Sequence, residues 1–348
     1  MNKKSAITRA ALACLWGAVQ AQSTVTVFGV VDVGLTRLTG NTVHQTLVNT
    51  DGNTSSRFGF RGVEDLGQGL KLGFWLESGF SPDTGVGGNT NTNNQTPAAG
   101  SATGFSFGRR SIVSLSGAFG EVRVGRDYVP TFANLTSSMH PFGTNGVGSS
   151  GVLFYPVAAG STTARTNVRA SNSIGYALPA TLGGWYGHAM LALGENTSNA
   201  GAQKDDGNYR GARLGYRSGP FNAAVASGTT RYATGNYQQS NAAANYQLGP
   251  VQLMALWGRN KVGVTRTTAH MLGLVWQVGP GELRLAHTEL KSSGVASDAS
   301  HTALGYVMTL SKRTALYTTA ARVNNKGTGR SFNVGLPVTV AGDRKSVV

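Results

Sequence analysis

SSRFGFRGVEDLGQGLKLGFWLESGF, residues 55–80, alternates with a period of two. In Arg57-Phe58-Gly59-Phe60-Arg61 the even positions are aromatic and the odd ones cationic or glycine. After a turn at Asp65-Leu66-Gly67-Gln68-Gly69, Leu70, Leu72, Phe74 and Leu76 fall on one face, with Lys71, Gly73, Trp75 and Glu77 on the other. That period marks a strand with one apolar and one polar face. A soluble sandwich would bury the apolar face against protein. The rest of the chain must decide what this face meets.

The amino terminus narrows the choice. MNKKSAITR carries Lys3, Lys4 and Arg9, AALACLWGAV is a short apolar run, and Val19-Gln20-Ala21 ends in a small residue. Residues 1–21 are therefore expected to be a secretory signal peptide cleaved after Ala21. The run is too short to span a bilayer, which takes about 20 apolar residues. Cys14 is the only cysteine and lies inside this leader, separated from Arg9 by only four residues, so lipid attachment there is the weaker alternative. The exported part, 22–348, has no thiol and is no disulfide scaffold.

Charged residues make up only 13 % of the chain, about half the usual ~25 %, while 49 of the 348 residues are glycine. The formal charge is +15. No later stretch approaches 18 consecutive apolar residues, which excludes helical membrane spans. Mean hydropathy is near neutral. A membrane barrel has that value, because the lumen half of each strand cancels the lipid half.

Alternating runs recur to the end: Val25, Val27 and Val31; Val113 and Leu115; Val122 and Val124; Trp185, Ala189, Leu191 and Leu193; Val251, Leu253, Ala255 and Trp257; Leu272, Leu274, Trp276 and Val278; Leu304, Tyr306, Met308 and Leu310. Short connections, such as Gly219-Pro220 and Gly249-Pro250, alternate with long polar ones at 39–54, 81–104, 195–208, 291–299 and from 323 onward. The reading is an all-β, up-and-down antiparallel transmembrane barrel. Greek-key crossings of a sandwich would not produce this alternation. No composition shift marks a second domain. One segment breaks the rhythm: 127–167, rich in Gly, Ser, Thr and Pro.

Two motif matches carry no chemistry. Gly104-Phe105-Ser106-Phe107-Gly108 fits G-x-S-x-G, but a strand follows it where a nucleophile elbow needs a helix. Gly146 to Gly151 fits G-x-G-x-x-G without a βαβ unit or an acidic residue about 20 positions on. The six histidines have no metal spacing. The basic charge is spread over many strands of an exported chain, which argues against nucleic acid. More telling is an absence: from Tyr128 to Gly194 there is no Asp or Glu, although Arg165 and Arg169 are present. A loop there, folded into the barrel, would narrow it without adding negative charge.

QSTVTVFGVVDVGL, SSRFGFRGVEDLGQGLKLGFWLESGF, GRRSIVSLSGAFGEVRVGRDY, HPFGT and RASNSIGY together resemble the general porins of Gram-negative outer membranes, the trimeric, 16-stranded kind. The resemblance covers nearly all of 22–348. It implies a passive, water-filled channel whose third extracellular loop, here 127–167, bends inward to form the constriction. It also implies wall arginines facing that loop, at Arg57, Arg109 and Arg169. Parity places Arg57 and Arg169 in the lumen but favours Arg110 over Arg109, so both stay candidates. Arg61, Lys71, Arg123, Asp127 and Arg165 are expected as secondary lining.

The expected function is passive, anion-preferring diffusion of small hydrophilic solutes and ions, with no enzymatic activity and no cofactor. Expected partners are outer-membrane lipid, lipopolysaccharide and two further copies of the chain in a homotrimer. The runner-up is a barrel that acts in adhesion or ligand binding through its loops. A barrel hydrolase needs a Ser/His/acid set that cannot be assembled here. Residues from Lys326 to Val348 are expected to be the final long loop, with about ten residues of a sixteenth strand and its terminal aromatic missing from the sequence.

Overall fold

Tight Gly-Pro turns set the architecture. Gly219, Gly249 and Gly279 each take the first central position of a two-residue hairpin, with φ of 51°, 56° and 59°. This left-handed region favours glycine, and Pro220, Pro250 and Pro280 complete the turns. Each turn returns the chain directly beside itself, so successive strands pair antiparallel, as in Tyr209–Ser218 against Phe221–Thr230 and Tyr237–Leu248 against Val251–Val262. The computed structural model describes residues 24–40, 44–88, 90–95, 104–154, 166–294, 296–327, 332–334 and 345–347. The expected leader and Arg165 lie outside these residues.

The pairings run in sequence order around the sheet and return to their start. The first stave is two segments, Thr24–Val30 and Val33–Thr39. The former pairs with Arg57–Gly67, the latter with His44–Thr50. At the far end Thr314–Lys326 pairs with Lys345–Val347, which meets Thr39 of the first stave. With the two-segment staves counted once and the two-residue strand Val86–Gly87 set aside, the ring has sixteen staves. This corrects one expectation: the final stretch is not loop throughout, because Lys345–Val347 stands in the sixteenth position. Lower down this seam a side chain makes the bridge. Tyr317 donates its hydroxyl to Asp32 Oδ1 at 2.6 Å. Asp32 Oδ2 accepts the backbone N–H groups of Asn53 at 2.9 Å and Thr54 at 2.7 Å.

The apolar face of the opening hairpin lies on the outside of the sheet, where Leu70 and Leu72 are exposed and Phe58 and Phe60 pack against the neighbouring Phe105 and Phe107. Val25, Leu35, Val113, Ile174, Val225, Leu272 and Leu304 all point outward and stay exposed, Leu272 at 71 %. Near the short-turn end Phe119, Tyr176, Trp185, Phe221, Tyr246 and Trp276 stand exposed on the same outer surface. An apolar band edged by an aromatic girdle matches the thickness profile of a bilayer.

The protein's packed core lies inside the ring. The segment after Gly120–Tyr128 turns inward, and its Leu135, Met139, Phe142, Leu153 and Phe154 pack on inward Ala243, Met254, Ala269, Met271 and Ala303. Glycines make the room. A Cβ on Gly258 would meet Phe154 at 2.7 Å, one on Gly273 would meet Pro141 at 2.6 Å, and one on Gly305 would meet Phe142 at 2.8 Å. The alternation marks these wall positions as lumen, which holds, but they meet the loop and not water.

The two faces should respond oppositely to charge. Leu272→Arg puts a guanidinium in lipid and should cost about 2–4 kcal/mol, whereas the inward Ser114→Arg should cost far less. Denaturant unfolding of the protein in bilayers measures both, and equal losses would contradict the assignment of faces.

Candidate functional site

Between the inward loop and the opposite wall lies a cavity of about 690 Å³. Its lining is divided by chemistry. The wall supplies Arg57, Arg109, Arg110, Arg123, Arg169, Arg213 and Arg284, with Trp75, Glu77 and His188. The loop supplies Phe132, Ala133, Thr136, Ser137, Ser138, Phe142 and Gly143 to Asn145, none of them charged.

Strand register explains most of the wall. Arg57, Trp75, Glu77 and Arg110 share one face, since Glu77 pairs with Arg110 and Arg57 with Gly79. Arg109 precedes the strand Arg110–Gly117, so strand parity does not govern it. Its backbone N–H donates to Glu77 O at 3.0 Å and its Nε donates to Glu77 Oε1 at 2.6 Å. Both arginines therefore face the lumen, and the choice between them dissolves. Arg110 donates to Asp127 Oδ1 at 2.6 Å. Arg169 enters the cavity from beyond a bulge: pairing slips between Gly125 and Asp127, with Asn172 at φ 56°.

Tyr128 joins this wall together. Its hydroxyl accepts from Arg109 Nη2 and Arg169 Nη2, each at 3.0 Å. Its ring lies under Arg110 at 5.2 Å and Arg169 at 4.5 Å, and stacks on Phe132 of the loop at 5.3 Å. Further down, Arg61 lies over Phe28 and Trp75, and Arg110 covers Trp75 as well. Rings and guanidinia thus alternate from Phe28 to Arg169, each contact worth about 0.5–1 kcal/mol or more. The arginine heads are held in place before any solute arrives.

Seven arginines face four carboxylates: Glu77, Asp127, and the Glu121 and Glu282 that pair with Arg123 and Arg284. Arg57, Arg169 and Arg213 have no carboxylate in ion-pair distance among the described residues. Neutral acceptors hold them instead. Arg57 donates to Ser55 O at 2.8 Å, and Arg213 donates to Asn134 Oδ1 of the loop at 2.6 Å. Of the secondary lining, Arg123 is at the cavity, Asp127 is buried behind it, and Arg61 sits below. Lys71 shares the strand face of Trp75 and Glu77 but pairs with Ser116 near the short-turn end, below the cavity.

Arg213 and Arg284 escaped the sequence reading although the signal was present. Each alternates with outward leucines, Leu214 and Leu283 with Leu285. The loop anchors had no such signal. Asn241 Nδ2 donates to Thr131 O at 2.8 Å, Asn245 Nδ2 to Ser138 O at 2.6 Å and Asn260 Nδ2 to Phe154 O at 2.7 Å. The loop's far end reaches the first staves, where Ser55 donates to Asn145 at 2.6 Å.

A buried imidazole completes the anchoring. Phe142 N–H donates to His140 Nδ1 at 3.1 Å, so Nε2 carries the proton toward Ser150 Oγ at 2.8 Å. Burial, with His301 nearby, pushes the His140 pKa down to about 3. The unfolded chain binds a proton below about 6.5 that the folded loop refuses. Loop docking is therefore fully supported above pH 6.5 and weakens as pH falls toward 3.

Two outcomes follow. Tyr128→Phe should lower thermal stability by about 1.5–3 kcal/mol through two lost charge-assisted bonds and loosen Arg169. An unchanged melting curve would contradict that role. In His140→Asn, whose amide oxygen still accepts from Phe142, part of the acid destabilisation between pH 6.5 and 3 should vanish. Melting temperatures across that range measure it.

Comparison with known proteins agrees with this geometry. A profile of the Gram-negative porin family matches residues 8–328. Outer membrane porin protein 32 of Delftia acidovorans is 37 % identical over 336 residues, covering 93 % of this chain and 90 % of that protein. The solved anion-selective porin from Comamonas acidovorans superposes with a TM-score of 0.80 at 32 % identity, over 93 % of this chain and 97 % of that one. OmpT of Vibrio cholerae, 12 % identical with a TM-score of 0.63 over 93 % of this chain and 97 % of its own, shares the fold. With a family match across the barrel and an apolar band facing lipid, the chain belongs to the Gram-negative porins and is an outer-membrane channel protein.

Proposed function

We propose that the passage between the arginine wall and the inward loop is the constriction of an anion-preferring diffusion channel for small hydrophilic solutes. Arg57, Arg109, Arg110 and Arg169 act there with Arg123, Arg213 and Arg284. One observation carries the reading: seven arginines face four carboxylates while the described loop residues that line the passage, Phe132 to Asn145, bear no charge. The likeness to a porin described as anion-selective, at 32 % identity, supports the same preference here. The exported chain, freed of residues 1–21, works as a homotrimer in outer-membrane lipid, as the family resemblance implies.

The mechanism is electrostatic. At about 4 Å and an effective dielectric near 20, one unit charge acts on another with roughly 4 kcal/mol before desolvation and screening. Three uncompensated guanidinia therefore suffice to admit anions and repel cations, as charged rings do in other channels. The arginines are already positioned, so passage requires no rearrangement.

Reversal potentials in a salt gradient across a planar bilayer test the assignment. The wild type should form stepwise, ohmic, anion-preferring openings. Arg57→Ser, Arg169→Ser and Arg213→Ser should each lower the anion-to-cation permeability ratio, and the triple variant should approach no preference. Raising salt from 0.1 to 1 M should weaken the wild-type preference, as the Debye length falls from about 10 to about 3 Å. A silent membrane with intact protein would overturn the channel reading, and cation preference would overturn the site.

A further inference from the structure

A chemically labile pair of residues sits on the uncharged bank of the passage. Asn145-Gly146 is the single Asn-Gly step in the chain. Asn145 lines the cavity, and both residues are half-buried there. Gly146 holds a left-handed φ of 63°, and a Cβ on it would collide with Gly52 O. Only glycine fits this turn, so the path of the loop dictates the second residue of the pair.

The surroundings favour attack on the Asn145 amide. Ser55 Oγ donates to Asn145 Oδ1 at 2.6 Å, which draws electrons away from Cγ. Among the described residues nothing accepts a hydrogen bond from Asn145 Nδ2 or from the Gly146 backbone N–H. The asparagines that anchor the loop are held differently. Asn241, Asn245 and Asn260 each donate Nδ2 to a loop carbonyl. Ala242, Tyr246 and Lys261 follow them, each with a Cβ beside the nitrogen that would have to approach.

We propose that Asn145 is a site of spontaneous deamidation, and that the conversion lowers the anion preference of the channel as the protein ages. The Gly146 nitrogen gives its proton to water and attacks Asn145 Cγ. The Cγ–Nδ2 bond then breaks, ammonia leaves with a proton taken up in its place, and a succinimide remains. Water opens that ring at either carbonyl and leaves aspartate or isoaspartate. Water is the only co-reactant, and a carboxylate and an ammonium ion are the net products.

Either product puts a carboxylate on a bank whose described residues bear no charge. Ser55 ties that bank to the arginines: its hydroxyl holds Asn145, and its carbonyl accepts from Arg57 Nη1 at 2.8 Å. Arg57 has no carboxylate in ion-pair distance among the described residues. The new charge arises one shared contact away from it, and the Ser55 hydroxyl is already placed to donate to a carboxylate oxygen there. The loss of preference rests on the constriction assigned above, whereas the chemistry at Asn145 does not.

The test ages freshly purified full-length protein in mildly alkaline buffer made with heavy-oxygen water, and peptide mass spectrometry follows each asparagine. Asn145 should gain a labelled carboxylate about tenfold faster than any other asparagine, because no other precedes a residue without a Cβ. Conversion no faster there than elsewhere overturns the proposal. In planar bilayers the anion-to-cation permeability ratio of the aged wild type should fall toward that of fresh Asn145→Asp. That loss should approach the one caused by Arg57→Ser. Asn145→Gln, whose longer side chain would have to close a larger ring, should show no such drift on ageing. A fresh Asn145→Asp channel with the wild-type ratio overturns the effect on selectivity. Absence of anion preference in the fresh wild type overturns the constriction assignment instead, and the peptide masses still decide the chemistry at Asn145. That measurement needs no variant, so it stands even if a substituted chain fails to fold.

Discussion

Inside a bilayer an unpaired backbone N–H or C=O costs several kcal/mol, because no water stands ready to replace the partner. Every strand of this protein is arranged around that cost. A closed ring of antiparallel strands pairs amides with neighbours and leaves no edge. Among the described residues the seam between Thr314–Lys326 and the first stave is bridged by only three strand residues. Tight Gly-Pro turns keep neighbours adjacent, and the order of pairing closes on the first stave through Lys345–Val347. Where the first stave breaks at Val31-Asp32, side chains take over, and the Asp32 carboxylate gathers Tyr317 and the amides of residues 53 and 54. The same carboxylate thereby fixes the segment that presents Arg57.

Closure around so wide a ring leaves an interior that strands alone cannot fill. The inward loop fills one side of it with a protein-like core, and the wall is shaped to receive it. Alanines and glycines stand where the loop presses closest, and asparagines meet its carbonyls. Loop and wall are two halves of one packing problem. On the remaining side the lumen stays wet, and there the arginines collect.

Much of this could be read from residues 55–80 onward, because period-two alternation reports which way a side chain points whatever lies outside. It placed Arg57 correctly and would have placed Arg213 and Arg284. It fails where the strand is not regular. Arg109 stands one residue before its strand, so parity could not settle it, whereas Arg169, which parity placed in the lumen, does reach the cavity although a bulge intervenes near Asn172. Nor does alternation say what a lumen residue touches. Asn241 and Ala243 both point inward, yet one holds a loop carbonyl and the other packs in the core, a difference created only by the loop's path. Tyr128 was invisible for the same reason. Its importance comes from four neighbours brought together by three separate segments.

The division of the lumen also gives the passage a direction across its axis. A ring of charge acts on where an ion stands along a pore, but it has no preferred side. Here one bank is cationic and the opposite bank, from Phe132 to Asn145, is uncharged. The field therefore runs sideways, off the arginine bank toward the loop, and it exerts torque as well as force. On the proposed assignment of the constriction, a solute with separated charges would turn as it enters, its anionic end toward Arg57 and Arg169 and its cationic or apolar end toward the loop. Orientation then becomes part of admission, and molecules of equal size and net charge are told apart by how their charge is distributed along their length.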